Sequence, residues 1–446
     1  MIPAGGTHEI AGLAAPSAER ESAVAINRAR HLVLQAAGAI LVVLATNWVI
    51  PFTPPQSDAS VYLLLARDLK YDGGSLYRTE PETSLHFPPG YPWLLSFFVE
   101  RDSLGWAPIV QRVFHGLTIA LGSIWATLQF GTGVGWLVFA LLAINPAFLG
   151  SSSMLRSEAP HAVFYLVGFI AWFRFIQTRK SGPLVLCALV LALANYVRSY
   201  GLLLAAILPV LIVIALRAHP WRRTLGYVAL FVGTWLLVMA PWAVRNYLLY
   251  EQFIPMTMPG STMYSAWFPP GKMQFGMMAN DEVTREASTV ADPFDRDKFF
   301  REATVKRILA DPVFALETTA RKYAFYVMPF DWEFFGWFNE AGRQRPSLHF
   351  VYVFMLPFAL LFIWQHRREE AFWLGYMAPI LFGLLMTALI LGIPRFRLCI
   401  EPFLTVFAAV YLVQWISANP RWRGAVAGSY FLACLAGAYG FAQLVR

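Results

Sequence analysis

Eleven apolar runs interrupt this chain, and they fix its class before any motif is considered. A transmembrane helix needs about 20 mostly apolar residues. By that measure the runs fall at 32–50, 107–129, 133–150, 160–177, 183–198, 200–216, 225–242, 348–364, 371–393, 400–417 and 424–443. Composition agrees: 57% of the 446 residues are hydrophobic and only 14% are charged, against about 25% charged in a soluble domain. The expected fold is an all-α polytopic membrane protein with about eleven transmembrane helices. The first run, Leu32 to Ile50, is too long for the apolar core of a secretory signal and lacks a cleavage site, so it reads as an uncleaved span.

The formal net charge of +8 invites a nucleic-acid reading, but its distribution argues otherwise. Basic residues gather in short segments between the runs: Arg28 and Arg30; Arg174, Arg179 and Lys180; Arg217, Arg222 and Arg223; Arg367 and Arg368; Arg421 and Arg423. With the N-terminus in the cytoplasm, all five groups fall on the cytoplasmic side, as the positive-inside rule requires. One miscounted span would scatter the later groups. Nucleic acid is therefore not expected as a partner; membrane lipids are. Residues 1–30, polar and Ala-rich, read as a flexible cytoplasmic tail. Residues 31–446 read as one transmembrane unit without internal repeat or separate soluble domain.

Two long segments are left for the extracytoplasmic side, 51–106 and 241–347. The second contains Asp292-Pro293 and Asp311-Pro312, each an Asp N-cap followed by Pro at the first helical position. Helices starting there interleave Phe299, Phe300, Ile308, Val313 and Leu316 with Arg301, Lys306, Arg307 and Arg321, a pattern suited to helices lying in the membrane interface. The three cysteines, Cys187, Cys399 and Cys434, have no metal-type spacing, and no disulfide is expected.

The chemistry-bearing residues gather on that same side. Asp58 follows the first span, and His86 and Tyr91 frame the run Pro88-Pro89-Gly90. Glu158 opens the fourth span and Arg198 closes the fifth. Arg245 follows the seventh, and Arg395, Arg397 and Glu401 precede the tenth. Ionisable side chains at the membrane edge are costly without a task. Arg forks bind phosphate oxygens bidentately, and a carboxylate at a helix N-terminus is held ionised by the helix dipole. Each residue also has an ordinary role: Asp58 as an N-cap, Glu158 as a partner of Arg156, the paired arginines as snorkelling ends. The set is less easily explained as coincidence than any one member.

In this order the residues resemble the C-type (GT-C) integral-membrane glycosyltransferases, in the bacterial branch related to protein O-mannosyltransferases and the lipid A aminoarabinose transferase. The resemblance is carried by Asp58 with Tyr62 and Ala66, by Pro88-Pro89-Gly90-Tyr91-Pro92, by Asn145-Pro146 leading to Ser157-Glu158, and by Arg198. It continues through Pro241-Trp242 with Arg245-Asn246 and Arg395-Phe396-Arg397 with Glu401-Pro402, so it runs from about residue 35 to about 415. It implies a polyprenyl-phosphate sugar as donor, Asp58 as general base, and Glu158 as an acid shaping the site. Lipid-phosphate contacts are implied at Arg245 and at Arg395 or Arg397. Where many relatives have Lys before the double Pro, this chain has Phe87, which leaves that contact to His86 or another Arg. No large soluble C-terminal domain is expected.

The sequence-level expectation is thus transfer of a sugar from a polyprenyl-phosphate donor to a hydroxyl of a glycan, lipid or protein acceptor, with inversion. Glu158 joins Asp58 at the catalytic centre, and His86, Tyr91, Arg198, Arg245, Arg395, Arg397 and Glu401 contact substrate. No cofactor is required; Asp58, Glu158 and His86 could supply hard ligands to a divalent metal, but no spacing compels one. The alternative is a lipid-linked sugar flippase or transporter, which also needs charges in the membrane but ordinarily places them near the midplane of repeated halves. A non-catalytic partner in a polysaccharide-export complex is a third reading.

Overall fold

The computed structural model describes residues 18–271, 276–331 and 347–444. Every expected apolar run is helical within it. The first helix, α1 (Ala18–Val49), begins well before the apolar run, so residues 18–30 of the expected tail are helical; residues 1–17 of it lie outside the described residues. Four short helices follow in the first long segment: α2 (Asp58–Tyr71), α3 (Leu76–Thr79), α4 (Pro81–Ser84) and α5 (Gly90–Ser96). The bundle continues with α6 (Ala107–Phe130), α7 (Thr132–Ala143), α8 (Pro146–Ser152), α9 (Glu158–Thr178), α10 (Ser181–Val197), α11 (Leu204–Ala215) and α12 (Trp221–Tyr250).

Among the described residues six helices are long and apolar enough to cross a membrane: the apolar part of α1, then α6, α9, α12 and two C-terminal helices, α20 (Glu401–Ala418) and α21 (Pro420–Leu444). Together α7 and α8 make a seventh, bent by 55°. The bend is local chemistry: Asn145 caps α8 by accepting from Ala147 N at 2.9 Å, and Pro146 cannot continue α7. The expected run 371–393 is likewise broken, into α18 (Glu370–Gly375) and α19 (Ala378–Leu389), which come before α20 in the chain. With α10, α11, α19 and α17 (Phe350–Gln365) as shorter apolar helices, the chain is a multi-pass all-α membrane protein. The only strands among the described residues are a two-residue pairing of Phe330–Asp331 with Ser347–Leu348.

Between α12 and α17 lie α13 (Gly260–Trp267), α14 (Glu282–Thr289), α15 (Pro293–Ala310) and α16 (Pro312–Tyr326). The Asp-Pro starts behave as read from the sequence: Asp292 Oδ1 accepts from Phe294 N and Asp295 N, and Asp311 Oδ1 accepts from Phe314 N. Leu309, Val313 and Leu316 remain exposed along this pair, the apolar stripe an interfacial helix needs. One boundary differs. Helix α12 carries through Pro241 to Tyr250 and stops only at Glu251, at φ +54, so Pro241 to Asn246 are helical and the loop begins ten residues later than the hydropathy suggested. Leu, Ala and Arg after Pro241 sustain the helix where apolar content no longer does.

Connectivity sorts the charges. The N-termini of α2, α9 and α20 and the C-terminus of α10 meet at one end of the bundle. Arg179, Lys180, Arg217, Arg367 and Arg368 lie just past the opposite ends of α9, α11 and α17.

Candidate active site

Four chain segments bring the charged groups together. Asp58 is the first residue of α2, preceded by Ser57 at φ +52 and ψ −127. A non-glycine residue held there costs on the order of 1–3 kcal/mol and marks a place where the backbone is forced to aim the next side chain. Glu158 opens α9 after the tight segment 153–157, whose Ser153 carbonyl accepts from Thr53 N at 2.8 Å. Arg198 caps the C-terminus of α10 in extended conformation. Arg395, Phe396 and Arg397 lie on the 3₁₀ turn Pro394–Cys399 between α19 and α20.

Arg395 bridges the two carboxylates, its Nη2 donating to Asp58 Oδ2 at 3.1 Å and its Nε lying 3.2 Å from Glu158 Oε1. Arg198 Nη1 reaches the same Glu158 oxygen at 2.8 Å and donates to Ser157 Oγ at 3.0 Å. Both guanidiniums lie over the Phe396 ring, at 4.3 Å for Arg198 and 5.3 Å for Arg395. Glu158 is 5% exposed, Arg198 11%, Arg395 13% and Asp58 35%. The cluster is therefore sealed below and open above, with Asp58 at its rim.

A second layer holds this arrangement. Tyr62, one turn after Asp58, shares a hydrogen bond of 2.9 Å with Ser157 Oγ; burial raises its pKa, so the phenol stays protonated. Tyr91 donates to Gln111 Oε1 at 2.7 Å and packs edge-on to Tyr62. Gln111 Nε2 in turn donates to the Ser151 and Arg156 carbonyls. Gly90 is where α5 meets α10: a Cβ there would sit 2.7 Å from the Tyr196 carbonyl, so only glycine permits the approach.

The remaining expected residues are placed elsewhere. Arg397 is 1% exposed and turned into the protein, where its Nε pairs with Glu401 Oε1 at 2.8 Å. Its Nη1 donates to the Tyr326 and Met328 carbonyls at 2.7 and 2.8 Å, and Nη2 meets His349 Nδ1 at 3.1 Å. Glu401 Oε2 accepts from Asn145 Nδ2 at 2.8 Å. This buried pair ties α8, α17, α20 and the end of α16 together, and both side chains, expected at the substrate, are 1% exposed. Tyr91 is fully buried and supports the site from behind. Arg245 packs on Trp242 and donates to Asn246 Oδ1 and the Tyr77 carbonyl, away from the carboxylate pair's own contacts. His86 is exposed, within electrostatic reach of Asp58, Glu82 and Asp297.

Two features had no reading in the sequence. Phe396 supplies the ring beneath both guanidiniums; its position between two arginines was the available signal. It also lines an apolar cavity with His161, Tyr165, Phe382, Met386 and Leu391, so the cationic cluster and an apolar recess share one side chain. Among the described residues no three His, Cys, Asp or Glu side chains converge as a metal site.

No protein-family model and no curated protein sequence matches the chain. Several solved structures are similar in fold, three of them as follows. ArnT from Cupriavidus metallidurans, solved bound to undecaprenyl phosphate, superposes with a TM-score of 0.51 at 15% identity, over 85% of this chain and 60% of that one. The oligosaccharyltransferase AglB from Archaeoglobus fulgidus, in complex with an inhibitory peptide and a dolichol-phosphate, gives 0.53 at 15% identity, over 94% and 55%. The Archaeoglobus fulgidus oligosaccharyltransferase complex with Zn and sulfate gives 0.55 at 16% identity, over 93% and 52%. The chain thus spans about half to three-fifths of the length of the structures it matches. What is shared with these structures is the fold.

Proposed function

From that shared fold and the geometry of the cluster, we propose that the chain is a membrane glycosyltransferase that moves a sugar from a polyprenyl-phosphate donor to an acceptor hydroxyl, with inversion. The active site faces the extracytoplasmic side and the N-terminus the cytoplasm, as the basic segments at the opposite helix ends require. One observation carries this reading: Asp58, the most exposed member of the cluster, is anchored through one oxygen by Arg395.

Asp58 Oδ2 is occupied by Arg395, while Oδ1 accepts from Ser57 Oγ at 3.4 Å. Oδ1 is the oxygen that accepts the proton of an incoming hydroxyl, a contribution typically of about 10²–10⁴-fold. Arg156, Arg198 and Arg395 all act on Glu158 electrostatically, so three cations face the two carboxylates Asp58 and Glu158. The surplus charge suits one phosphate anion. That phosphate leaves already ionised and needs no general acid; guanidiniums fixed before the reaction stabilise the charge that grows on it. The attack and departure occur on opposite faces of the anomeric carbon, which inverts it. Phe396 places an apolar ring directly under two of these cations. Arg397 and Glu401 serve this site by fixing the turn that carries Arg395. A divalent cation is not needed for this scheme, because Arg395 already lies between the two carboxylates.

The test is purified protein in vesicles with a labelled polyprenyl-phosphate sugar. Release of polyprenyl phosphate, dependent on Asp58, is the expected result. Movement of the intact lipid between leaflets without cleavage would replace the transferase by a transporter.

A further inference from the structure

A second cavity, of 240 Å³, opens between the end of α12 and the first turns of α15. At about 30 Å³ per water it has room for about eight waters, the scale of a single sugar ring. From the α12 side it is lined by Gln252 and Phe253, and from α15 by Asp295, Asp297, Lys298 and Arg301. Ile254, Met258 and Phe294 complete the wall. The reversal that puts Gln252 and Phe253 there is made by Glu251 at φ +54.

The four ionic residues are two acids and two bases, so the wall carries no net charge. Neither a phosphate nor a cation is favoured by such a wall. A neutral ligand rich in hydroxyls is, because each hydroxyl can donate to a carboxylate and accept from an ammonium or guanidinium. Phe253, 78% exposed, and Phe294 offer flat apolar surface to the C–H face of a pyranose ring.

The polar wall is held rigid. Asp297 is 9% exposed, with Oδ1 accepting from Gly260 N at 2.5 Å and Oδ2 from Arg301 Nε at 2.9 Å. Arg296 grips Glu82 with bonds of 2.7 and 2.9 Å, which fastens α15 to the segment running into His86. Met258 N donates to the Leu85 carbonyl at 2.8 Å, and Leu85 packs with Ile254 and Met258. The next residue, His86, is exposed and interacts electrostatically with both Asp297 and Asp58. His86 packs edge-on to Phe87 at 4.8 Å between ring centroids, and Phe87 edge-on to Tyr62, one turn after Asp58, at 4.9 Å, so one packed segment runs from the border of the cleft to the carboxylate rim.

Resting on the transferase reading, we propose that this cleft is the acceptor subsite and that the acceptor is a neutral glycan. One of its sugar units seats against Phe253, Phe294 and the polar edge of α15, and a neighbouring hydroxyl is directed over His86 to Asp58. The experiment is saturation-transfer NMR on the full chain in lipid nanodiscs. The probes are four neutral disaccharides (cellobiose, chitobiose, mannobiose and galactobiose), a uronic-acid disaccharide and a Ser-containing tripeptide. At least one neutral disaccharide is expected to bind and the charged and peptide probes not to. Phe253→Ala and Asp295→Ala, both at exposed positions, are each expected to weaken that binding about tenfold. No binding of any neutral disaccharide, preference for the uronic acid or the tripeptide, or binding unchanged in both variants overturns the proposal. Donor cleavage, measured separately, distinguishes the two failures: cleavage without saccharide binding removes the cleft and keeps the transferase, while saccharide binding without cleavage does the reverse.

Discussion

Replacing Asp58 and Glu158 one at a time, by Asn and Gln, separates chemistry from scaffold within a single ionic cluster. Asp58 exposes 35% of its side chain and its Arg395 pair is partly screened by solvent, so its contribution to stability is discounted to about 0–1 kcal/mol. Glu158 is 5% exposed and faces two guanidiniums at 2.8 and 3.2 Å. Removing the charge from one side of a buried pair costs about 3–5 kcal/mol, because the other side stays buried and uncompensated. Unfolding entropy near 2.1 cal/mol/K per residue gives ~0.9 kcal/mol/K for a chain of 446 residues. Glu158→Gln should therefore lower the melting temperature by roughly 3–5 °C, and Asp58→Asn by about 1 °C or less. Turnover runs the other way at Asp58, where loss of the base should cost about 10²–10⁴-fold. The assays are thermal unfolding in detergent and polyprenyl phosphate release from a labelled donor. Asp58→Asn within about tenfold of wild-type turnover removes Asp58 as the base. Glu158→Gln melting with the wild type would show that the two guanidiniums do not depend on it.

Lys322 gives a pH-dependent test. It is fully buried in α16, its ammonium 3.6 Å from the Trp267 ring centroid and bonded to the Ala388 carbonyl at 3.3 Å, and burial pushes its pKa down to about 7. Below pH 7 both folded and unfolded chains are protonated and the burial penalty is full; between about 7 and 10.5 the unfolded chain holds more protons, so stability rises with pH. Lys322→Met should be the more stable protein at neutral pH, by up to ~5 kcal/mol, with the difference in melting temperature shrinking as pH rises toward 10; a pH-independent difference would contradict this. Arg397→Lys keeps the charge but cannot span Glu401, His349 and two carbonyls from one nitrogen, so a loss of about 3–5 kcal/mol is expected, read as early unfolding by size-exclusion after heating. Phe396→Leu removes the ring under Arg198 and Arg395, worth about 0.5–2 kcal/mol each, and should raise KM for the lipid donor severalfold and lower the melting temperature by about 1–4 °C; an altered kcat at constant KM would place Phe396 elsewhere in the reaction.

How much of this was legible in the chain differs by residue. The helical runs and the Asp292-Pro293 and Asp311-Pro312 starts were readable because hydropathy over about 20 residues and N-cap chemistry are local properties. The bend at Asn145-Pro146 is of the same kind, since its cap and its breaker are adjacent. Arg395 and Arg397 could not be told apart, although they stand two positions apart on one turn. One reaches Asp58, 337 residues away, and the other is swallowed by Glu401, His349 and the carbonyls of Tyr326 and Met328. The same holds for Tyr91, which the sequence set beside the substrate and packing set behind Tyr62, and for Arg245, carried on a helix that outlasts its apolar run. Sequence alone determined that this chain lies in a membrane as a helical bundle, because burial of apolar surface and satisfaction of backbone hydrogen bonds within each segment depend on neighbours in the chain. Only the tertiary structure decided which charges face one another, because ion pairing is set by distances across the bundle that no local pattern encodes.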